Sequence, residues 1–448
     1  MRALIVAYYF PPKGGAGTQR FAKFCKYLPE HGIECVVMTV AADSKSPYAP
    51  NDDATLLRDS STTVLRVSPP TQSPFGLRVR RALRLHTDED EWAWAAAEQA
   101  VRLAKAQQID VVVTTLSPYA NYRIGERLQQ ELGIPWVVDL RDPWALDGWR
   151  VYATSLHARA DLATMRRAIR GADFVIANVP AAKQEFVRMG ANPARTVVIP
   201  NGFDEEDFAP TPAARQDGPF RLVHVGTLHG VDVGEGMTKN RLRRVRHRQI
   251  APLGRTGNYL LRGVAAWRQS AGANGQQLAV HLYGQVDDSH RALIAQLGLA
   301  DVVTLHGYVD HRASIAALLA ADAVFVPLHD IPVGERALVV PGKLYEALAS
   351  ERPVLAALPP GDGVDLITKL DAGIVVPPTD AEALARAIGR LQTQRPKGVA
   401  RLRLLPFTRR HLTTLLARVL QAAVAREKAV EIVDPWQQVG ISPPGGTR

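Results

Sequence analysis

From Met1 to about Asn201 the chain alternates short, wholly apolar runs with longer stretches whose apolar residues recur every three or four positions. The runs are Ala3-Leu4-Ile5-Val6-Ala7, Cys35-Val36-Val37-Met38-Thr39, Val64-Leu65-Arg66-Val67, Val111-Val112-Val113-Thr114, Trp136-Val137-Val138-Asp139-Leu140, Phe174-Val175-Ile176-Ala177 and Thr196-Val197-Val198-Ile199. Most are rich in β-branched residues and lack polar alternation, as strands buried on both faces must be. Helical spacing occupies 17–30, 91–107, 119–132, 157–170 and 180–189, so strand and helix alternate as in a parallel, doubly wound sheet. Pro200-Asn201-Gly202 interrupts the pattern, and an acidic, proline-bearing stretch follows to Pro212. A second series begins with Arg221-Leu222-Val223-His224-Val225 and continues through Leu278–Tyr283, Val302–Leu305, Ala323–Val326, Val354–Ala357 and Gly373–Val376. The predicted architecture is α/β with two doubly wound domains, 1–205 and 206–405. Residues 406–448 form a closing helix, Thr408 to about Ala425, and a tail from Asp434 whose prolines predict fraying.

Composition narrows the class. A chain of 448 residues exceeds one core, and 46% apolar with 22% charged residues describes a globular protein rather than a disordered one. No apolar run reaches the roughly 20 residues a membrane helix needs. Arg2 followed by Ala3–Ala7 has the look of a signal peptide, but Pro11-Pro12 ends the run and no small-residue cleavage site follows, so a buried first strand is expected. Cys25 and Cys35 have neither metal spacing nor a disulfide framework and read as free core thiols. Lys and Arg exceed Asp and Glu, 54 to 44, for a net charge of +10. That favours anionic partners, and the absence of any helix-turn-helix, zinc or aromatic RNA-binding pattern argues against nucleic acid.

Candidate chemistry clusters at the ends of predicted strands, where open α/β sheets bind ligands. In Val339-Val340-Pro341-Gly342-Lys343-Leu344-Tyr345-Glu346-Ala347-Leu348-Ala349 the Pro-Gly turn opens a helix, and Pro353 releases the chain into the next strand. Lys343 and Glu346, three apart near the helix N-terminus, can offer a cation to phosphate and a carboxylate to hydroxyls, parts that a nucleotide sugar has; the plainer reading is an i,i+3 ion pair. The first βα turn, Phe10-Pro11-Pro12-Lys13-Gly14-Gly15-Ala16-Gly17-Thr18-Gln19-Arg20, lets backbone approach a ligand through Gly14, Gly15 and Gly17, but it is neither a P-loop nor a dinucleotide fingerprint. Asp139-Leu140-Arg141-Asp142-Pro143-Trp144 makes Arg141 and Asp142 candidates for hydroxyl or phosphate contacts and Trp144 a candidate stacking wall for a sugar ring; the alternative is an Arg141–Asp142 ion pair that stabilises a loop. His157, His229 and His281 stand as single histidines without a visible partner. No metal-ligating pattern is visible, so no metal and no separate cofactor are expected.

Five segments in order, Phe10-Pro11-Pro12 through Arg20, Arg141-Asp142-Pro143-Trp144, Ile199-Pro200-Asn201-Gly202-Phe203-Asp204, His224-Val225-Gly226-Thr227-Leu228 and Pro341-Gly342-Lys343-Leu344-Tyr345-Glu346, resemble retaining glycosyltransferases of family 4. The resemblance covers about 1–230 and 255–425. It implies the GT-B architecture: two Rossmann-like domains facing across a cleft, donor mainly on the C-terminal one, acceptor mainly on the N-terminal one, and a last helix crossing back. By position, Glu346 matches the family's ribose-binding glutamate and Lys343 its donor loop. Gly226 and Thr227 match the turn at the donor phosphates, and Arg255 the cation on the leaving diphosphate. Arg141, Asp142 and Arg255 are therefore the expected catalytic residues.

The implied activity is transfer of a hexose from a nucleotide sugar to an acceptor hydroxyl with retention, in cell-surface polysaccharide or glycolipid synthesis. The implied partners are the nucleotide sugar, a saccharide or lipid-linked acceptor and an anionic membrane surface, with the protein in the cytoplasm or at the inner membrane face. A non-hydrolysing sugar-nucleotide epimerase can share the fold, and a catalytically impaired nucleotide-sugar-binding protein is the third reading. The chain departs from the family pattern at Leu338, where a first glutamate is expected, at Tyr122, where many relatives have histidine, and in an insertion at about 231–254. That insertion carries Lys239, Arg241, Arg243, Arg244, Arg246 and Arg248, and reads either as a solvated loop or as a contact for lipid phosphates.

Overall fold

The computed structural model describes residues 1–13, 16–41, 62–69, 88–209, 218–230, 245–271 and 277–442. Two compact units divide the chain: Met1–Asn201 with Arg409–Pro435, and Gly202–Thr408 with Trp436–Arg448.

The first unit is built on a seven-stranded sheet in the order β3-β2-β1-β4-β5-β6-β7. Its strands are β1 (Arg2–Val6), β2 (Glu34–Val40), β3 (Thr63–Val67), β4 (Val111–Thr115), β5 (Trp136–Leu140), β6 (Phe174–Ala177) and β7 (Thr196–Val198). All neighbours pair in parallel, with Ile5 of β1 opposite Val37 of β2 on one side and Val113 of β4 on the other. Sequence order reverses between β1 and β4, so the crevice at their carboxyl ends is this unit's natural ligand position. The helices Ala16–Tyr27, Asp88–Gln107, Tyr122–Leu132, Ser155–Gly171, Pro180–Arg188 and Arg409–Val424 belong to it. The last of these sends Leu412, Leu416 and Leu420 into the core beside Phe21, Phe24, Val37 and Val137. Cys25 and Cys35 are both free and buried in the same core.

One polar arrangement is sealed inside that apolar mass. Arg20, fully buried, donates from Nη2 to Asp139 Oδ1 at 2.6 Å and from Nε to Oδ2 at 3.2 Å. Its remaining donors reach the carbonyls of Ile199 at 2.9 Å and Pro200 at 2.5 Å, and Thr115 Oγ1 donates to Asp139 Oδ2 at 2.9 Å. The first helix, the end of β5 and the chain leaving β7 are thereby tied together beneath the loop that carries Arg141. Desolvation of two charges is offset only because nearly every lone pair and proton has a partner.

The second unit has six parallel strands: β8 (Phe220–Val225), β9 (Leu278–Tyr283), β10 (Val303–Gly307), β11 (Ala323–Pro327), β12 (Val354–Ala357) and β13 (Gly373–Val376). Their order is β10-β9-β8-β11-β12-β13, so the reversal falls between β8 and β11. The helices Asn258–Ala271 and Ala381–Gln394 cover one face, where Leu260, Val264, Trp267, Leu384 and Ile388 pack on Leu222, Val280 and Phe325. Asp287, Asp310 and Asp380 each cap a helix through a carboxylate that accepts a backbone N–H.

One expectation fails here. The tail does not fray at Asp434: Pro435–Gln438 is a short helix, and Trp436 is buried with its ring 5.3 Å from Phe407 and 6.5 Å from Tyr345. Burying one indole removes on the order of 200 Å² from water, enough to order a proline-bearing segment. The insertion at 231–254 is described only in its last part. Residues 231–244, with Lys239, Arg241, Arg243 and Arg244, lie outside the described residues. Beyond them Ala251 pairs with Asp330 through N–H···O contacts of 2.8 and 3.0 Å, and Pro252–Arg255 is a 3₁₀ turn. Arg248 donates from Nη2 and Nε to the one oxygen Glu335 Oε2, at 2.6 and 3.1 Å, and is therefore committed within the unit.

Replacing Arg20 by Leu leaves Asp139 buried without its cation. The expected loss is about 3–5 kcal/mol in urea denaturation, with most of it recovered in the double variant Arg20→Leu, Asp139→Leu.

Candidate functional site

At the reversal point of the second unit, Gly226 and Thr227 follow β8, and Leu328 and His329 follow β11. Gly226 has φ +113°, and a Cβ placed there would lie 2.2 Å from Cε and 2.3 Å from Nζ of Lys343. The backbone conformation favours glycine, and any larger residue there would push the Lys343 ammonium aside. Lys343 stands in the first turn of the helix Gly342–Ala349 and donates from Nζ to the Thr227 carbonyl at 3.2 Å. The lysine thus bonds across to the β8 turn, and its cation sits where the helix N-terminus also favours an anion. Glu346, three residues on, is half-buried, while Leu344, Tyr345 and Leu348 turn into the core.

Arg255 joins this group from the 3₁₀ turn Pro252–Arg255, where its carbonyl accepts the His229 amide at 3.4 Å. Gly254 packs so closely on the β11 loop that a Cβ there would meet the Leu328 carbonyl at 2.7 Å. The cations act on one another. Burial and then Arg255 pull the Lys343 ammonium down to about 7, with Glu346 opposing. Burial, Arg255 and Lys343 hold His229 at about 4. His329 is lowered to about 3 by burial and then Arg255, and His224 to about 3 by burial and then Lys343. The three histidines are thus neutral, and the site's positive charge rests on Arg255 and a lysine near its titration midpoint.

Gly226, Thr227, Arg255, Lys343 and Glu346 are therefore brought into one neighbourhood. The reading of His229 as a partnerless histidine is corrected, since it interacts with Arg255 and Lys343. The sequence reading gave no role to His329, which follows a buried strand, or to His224, which opened the His224–Leu228 segment and whose Nδ1 is 3.0 Å from the Phe325 carbonyl. Leu338 is buried, and Glu335 is bound to Arg248.

In the first unit, Arg141 lies across the start of the first helix: a Cβ on Gly17 would fall 1.6 Å from Arg141 Nη1. Gly14 and Gly15 lie outside the described residues. Arg141 Nε is 3.2 Å from Asp142 Oδ2, and Asn178 Nδ2 donates to the Arg141 carbonyl at 3.0 Å. Arg141, Asp142 and Gly17 are thus assembled at the carboxyl side of this sheet. Trp144 is not a wall for a ligand. It is 1% exposed, stacks on Tyr119 at 5.4 Å with the rings 6° from parallel, and donates from Nε1 to Asp161 at 3.1 Å. Arg150 covers the Tyr119 ring at 4.8 Å and pairs with Asp161, so the aromatic residue braces the loop from inside. Tyr122 is also buried, with its hydroxyl 3.3 Å from Arg167 Nη2. His157 pairs with Thr154, and His281 with His306 at 2.9 Å, so neither is partnerless. Among the described residues no group of three or more His, Cys, Asp or Glu could hold a metal ion, and no helix is long and apolar enough to cross a membrane.

Residues 14–202 match the model of the glycosyl transferase 4-like domain, and residues 255–394 match the model of glycosyl transferases group 1. The chain belongs to the GT-B glycosyltransferases. A curated relative, D-inositol 3-phosphate glycosyltransferase from Kineococcus radiotolerans, is 28% identical over 247 residues, half of each chain. The chain thus spans about half the length of the curated relative it matches. Among solved structures, Anabaena HepE in complex with UDP and glucose superposes with a TM-score of 0.58 at 19% identity, covering 95% of this chain and 98% of that one. Sucrose-phosphate synthase from Thermosynechococcus elongatus gives 0.59 at 18% identity, covering 98% and 96%. At such identities these two likenesses establish the fold.

Gly226→Ala is expected to leave the far-ultraviolet circular dichroism unchanged, to displace the Lys343 ammonium and to weaken inorganic pyrophosphate binding by about tenfold or more, read by calorimetry.

Proposed function

We propose that this chain moves a hexosyl group from a nucleoside-diphosphate sugar to an acceptor hydroxyl with retention of anomeric configuration. The observation that carries the reading is the lysine fixed against Gly226 and Thr227 at a helix N-terminus, with Arg255 beside it, in a chain of this family. Lys343, Arg255 and the backbone at Gly226 and Thr227 take the diphosphate, and Glu346 takes the ribose. As the bond between the anomeric carbon and phosphate oxygen breaks, negative charge grows on the diphosphate, and the fixed cations stabilise it most at that moment. The acceptor oxygen forms its bond on the face the phosphate leaves, and the acceptor proton passes to a phosphate oxygen. This charge balance calls on no obligatory metal.

The acceptor end of the reaction falls to Arg141 and Asp142, with the Arg141 guanidinium packed directly on Gly17. Arg141 points its donors beside a helix start, and Asp142 offers a carboxylate to hydroxyls. The acceptor is a saccharide or lipid-linked saccharide of cell-surface polysaccharide or glycolipid assembly, met at the inner membrane face; the net charge of +10 suits anionic partners.

The test is transfer from a panel of nucleotide sugars, followed by NMR of the product anomer in the presence of EDTA. A retained anomer is expected; an inverted one would falsify the mechanism. Conversion of donor alone into an epimer would establish the epimerase reading instead, and tight nucleotide binding with no transfer to any acceptor would favour a binding protein. Arg255→Ala is expected to lower kcat by about 10²–10³.

The pH dependence has opposite signs for ligand and fold. The free native protein holds Lys343 at about 7 against an ordinary value of 10.5, so between them the unfolded chain carries a proton the native one lacks, and this lysine's contribution to stability rises with pH. Diphosphate favours the ammonium, so binding takes up that proton. UDP-glucose affinity is expected to fall by up to about tenfold per unit as pH rises above neutrality, and Lys343→Met to bind weakly with a flat profile.

A further inference from the structure

The helix that carries Lys343 and Glu346 has eight residues, and its N-cap, Pro341, supplies no side-chain hydrogen bond. So short a helix does not hold its own geometry in water, and its orientation must come from packing. The packing is specific. Tyr345, between the two functional side chains in sequence but turned inward, lies 5.5 Å from the Phe407 ring. Trp436 closes the triangle edge-on, at 85° to Tyr345 and 88° to Phe407. The indole Nε1 lies 3.4 Å from the Asp362 carbonyl in the first turn of the helix Asp362–Leu370. Behind it the tail folds on itself, with the Ile441 amide donating to the Trp436 carbonyl at 2.8 Å. Trp436 is also the first residue of the second unit after the chain has spent Arg409–Pro435 in the first.

We propose that Trp436 is a positioning residue for the site: it latches Tyr345 and so fixes the register of Lys343 and Glu346 against the Gly226-Thr227 turn. This rests on the nucleotide-sugar reading of those two side chains. The latch itself is a claim about the helix and can be tested without nucleotide. Without the indole the helix gains freedom to rock about its buried face, Lys343 leaves its contact with the Thr227 carbonyl and its proximity to Arg255, and the anion loses its placed cation. A displacement of about 1 Å at such a point can cost on the order of 100-fold in function.

The test compares the full-length chain with Trp436→Ala and Trp436→Phe by three readouts. In nucleotide-free protein, amide hydrogen exchange across Gly342–Ala349 is expected to accelerate at least about tenfold in Trp436→Ala while β11 and β12 keep their protection. The Lys343 titration, followed by NMR of reductively methylated protein, is expected to climb from about 7 toward the ordinary lysine value. UDP affinity is expected to drop about tenfold or more in the alanine variant and to return to within about threefold of wild type in the phenylalanine variant. Unchanged exchange and an unchanged Lys343 titration in folded Trp436→Ala would overturn the latch. If both change and even the wild type binds no UDP, the latch stands and the nucleotide-sugar reading falls. Should Trp436→Ala not fold, Trp436→Leu, which keeps apolar volume but no aromatic edge, carries the same two nucleotide-free readouts, with the same result required.

Discussion

A lysine side chain laid against a glycine is the constraint on which the second unit's chemistry depends. Lys343 can reach the Thr227 carbonyl only because Gly226 has no Cβ and holds a positive φ. That contact joins a short helix to the end of β8 and fixes one cation at the reversal point of the sheet. Arg255 arrives from a different segment, and burial first, with the neighbouring cations second, lowers Lys343 to about 7 and keeps His224, His229 and His329 uncharged. Such a group is poorly compensated as it stands, and an anion placed beside it would relieve that repulsion.

The first unit solves a similar problem by the opposite means. Arg20 and Asp139 are compensated by each other, with Arg20 also donating to backbone carbonyls, and are sealed from water. Their work is to hold the end of β5 so that the next residues, Leu140 to Trp144, leave the sheet along a fixed course. The stacked Tyr119, Trp144 and Arg150 fix that course from the other side. Arg141 and Asp142 are then the members of the segment left with partial exposure. A buried neutralised pair below and a partly exposed one above is an economical way to aim a loop.

Much of this could be read from residue order because its causes are local. Parallel strands buried on both faces need unbroken β-branched runs, and those runs located the strands of both sheets. Pro341-Gly342 marked a helix start, and the short spacing from Lys343 to Glu346 put both near its N-terminus. The glycine at 226 belonged to a recognisable segment. Trp144 was misjudged because exposure of an aromatic residue is not a local property: the neighbours that cover it, Tyr119 and Asp161, lie well away in sequence. The tail was misjudged in the same way, since prolines predict poor local structure and say nothing of an aromatic pocket formed by Tyr345 and Phe407.

Sequence alone thus determined the α/β class, the two alternating series, the family likeness and the identity of the charged residues at strand ends, all of which follow from periodicity and from short-range backbone preference. Tertiary structure alone decided which of those charges meet and in what ionisation state. It made Lys343 a partner of Thr227 across 116 positions, gave Glu335 to Arg248 across 87, and packed Trp436, a loose end in the sequence, against Tyr345 across 91. Proton affinity and burial depend on everything within a few ångströms, and in a folded chain most of what lies that close comes from far away along it.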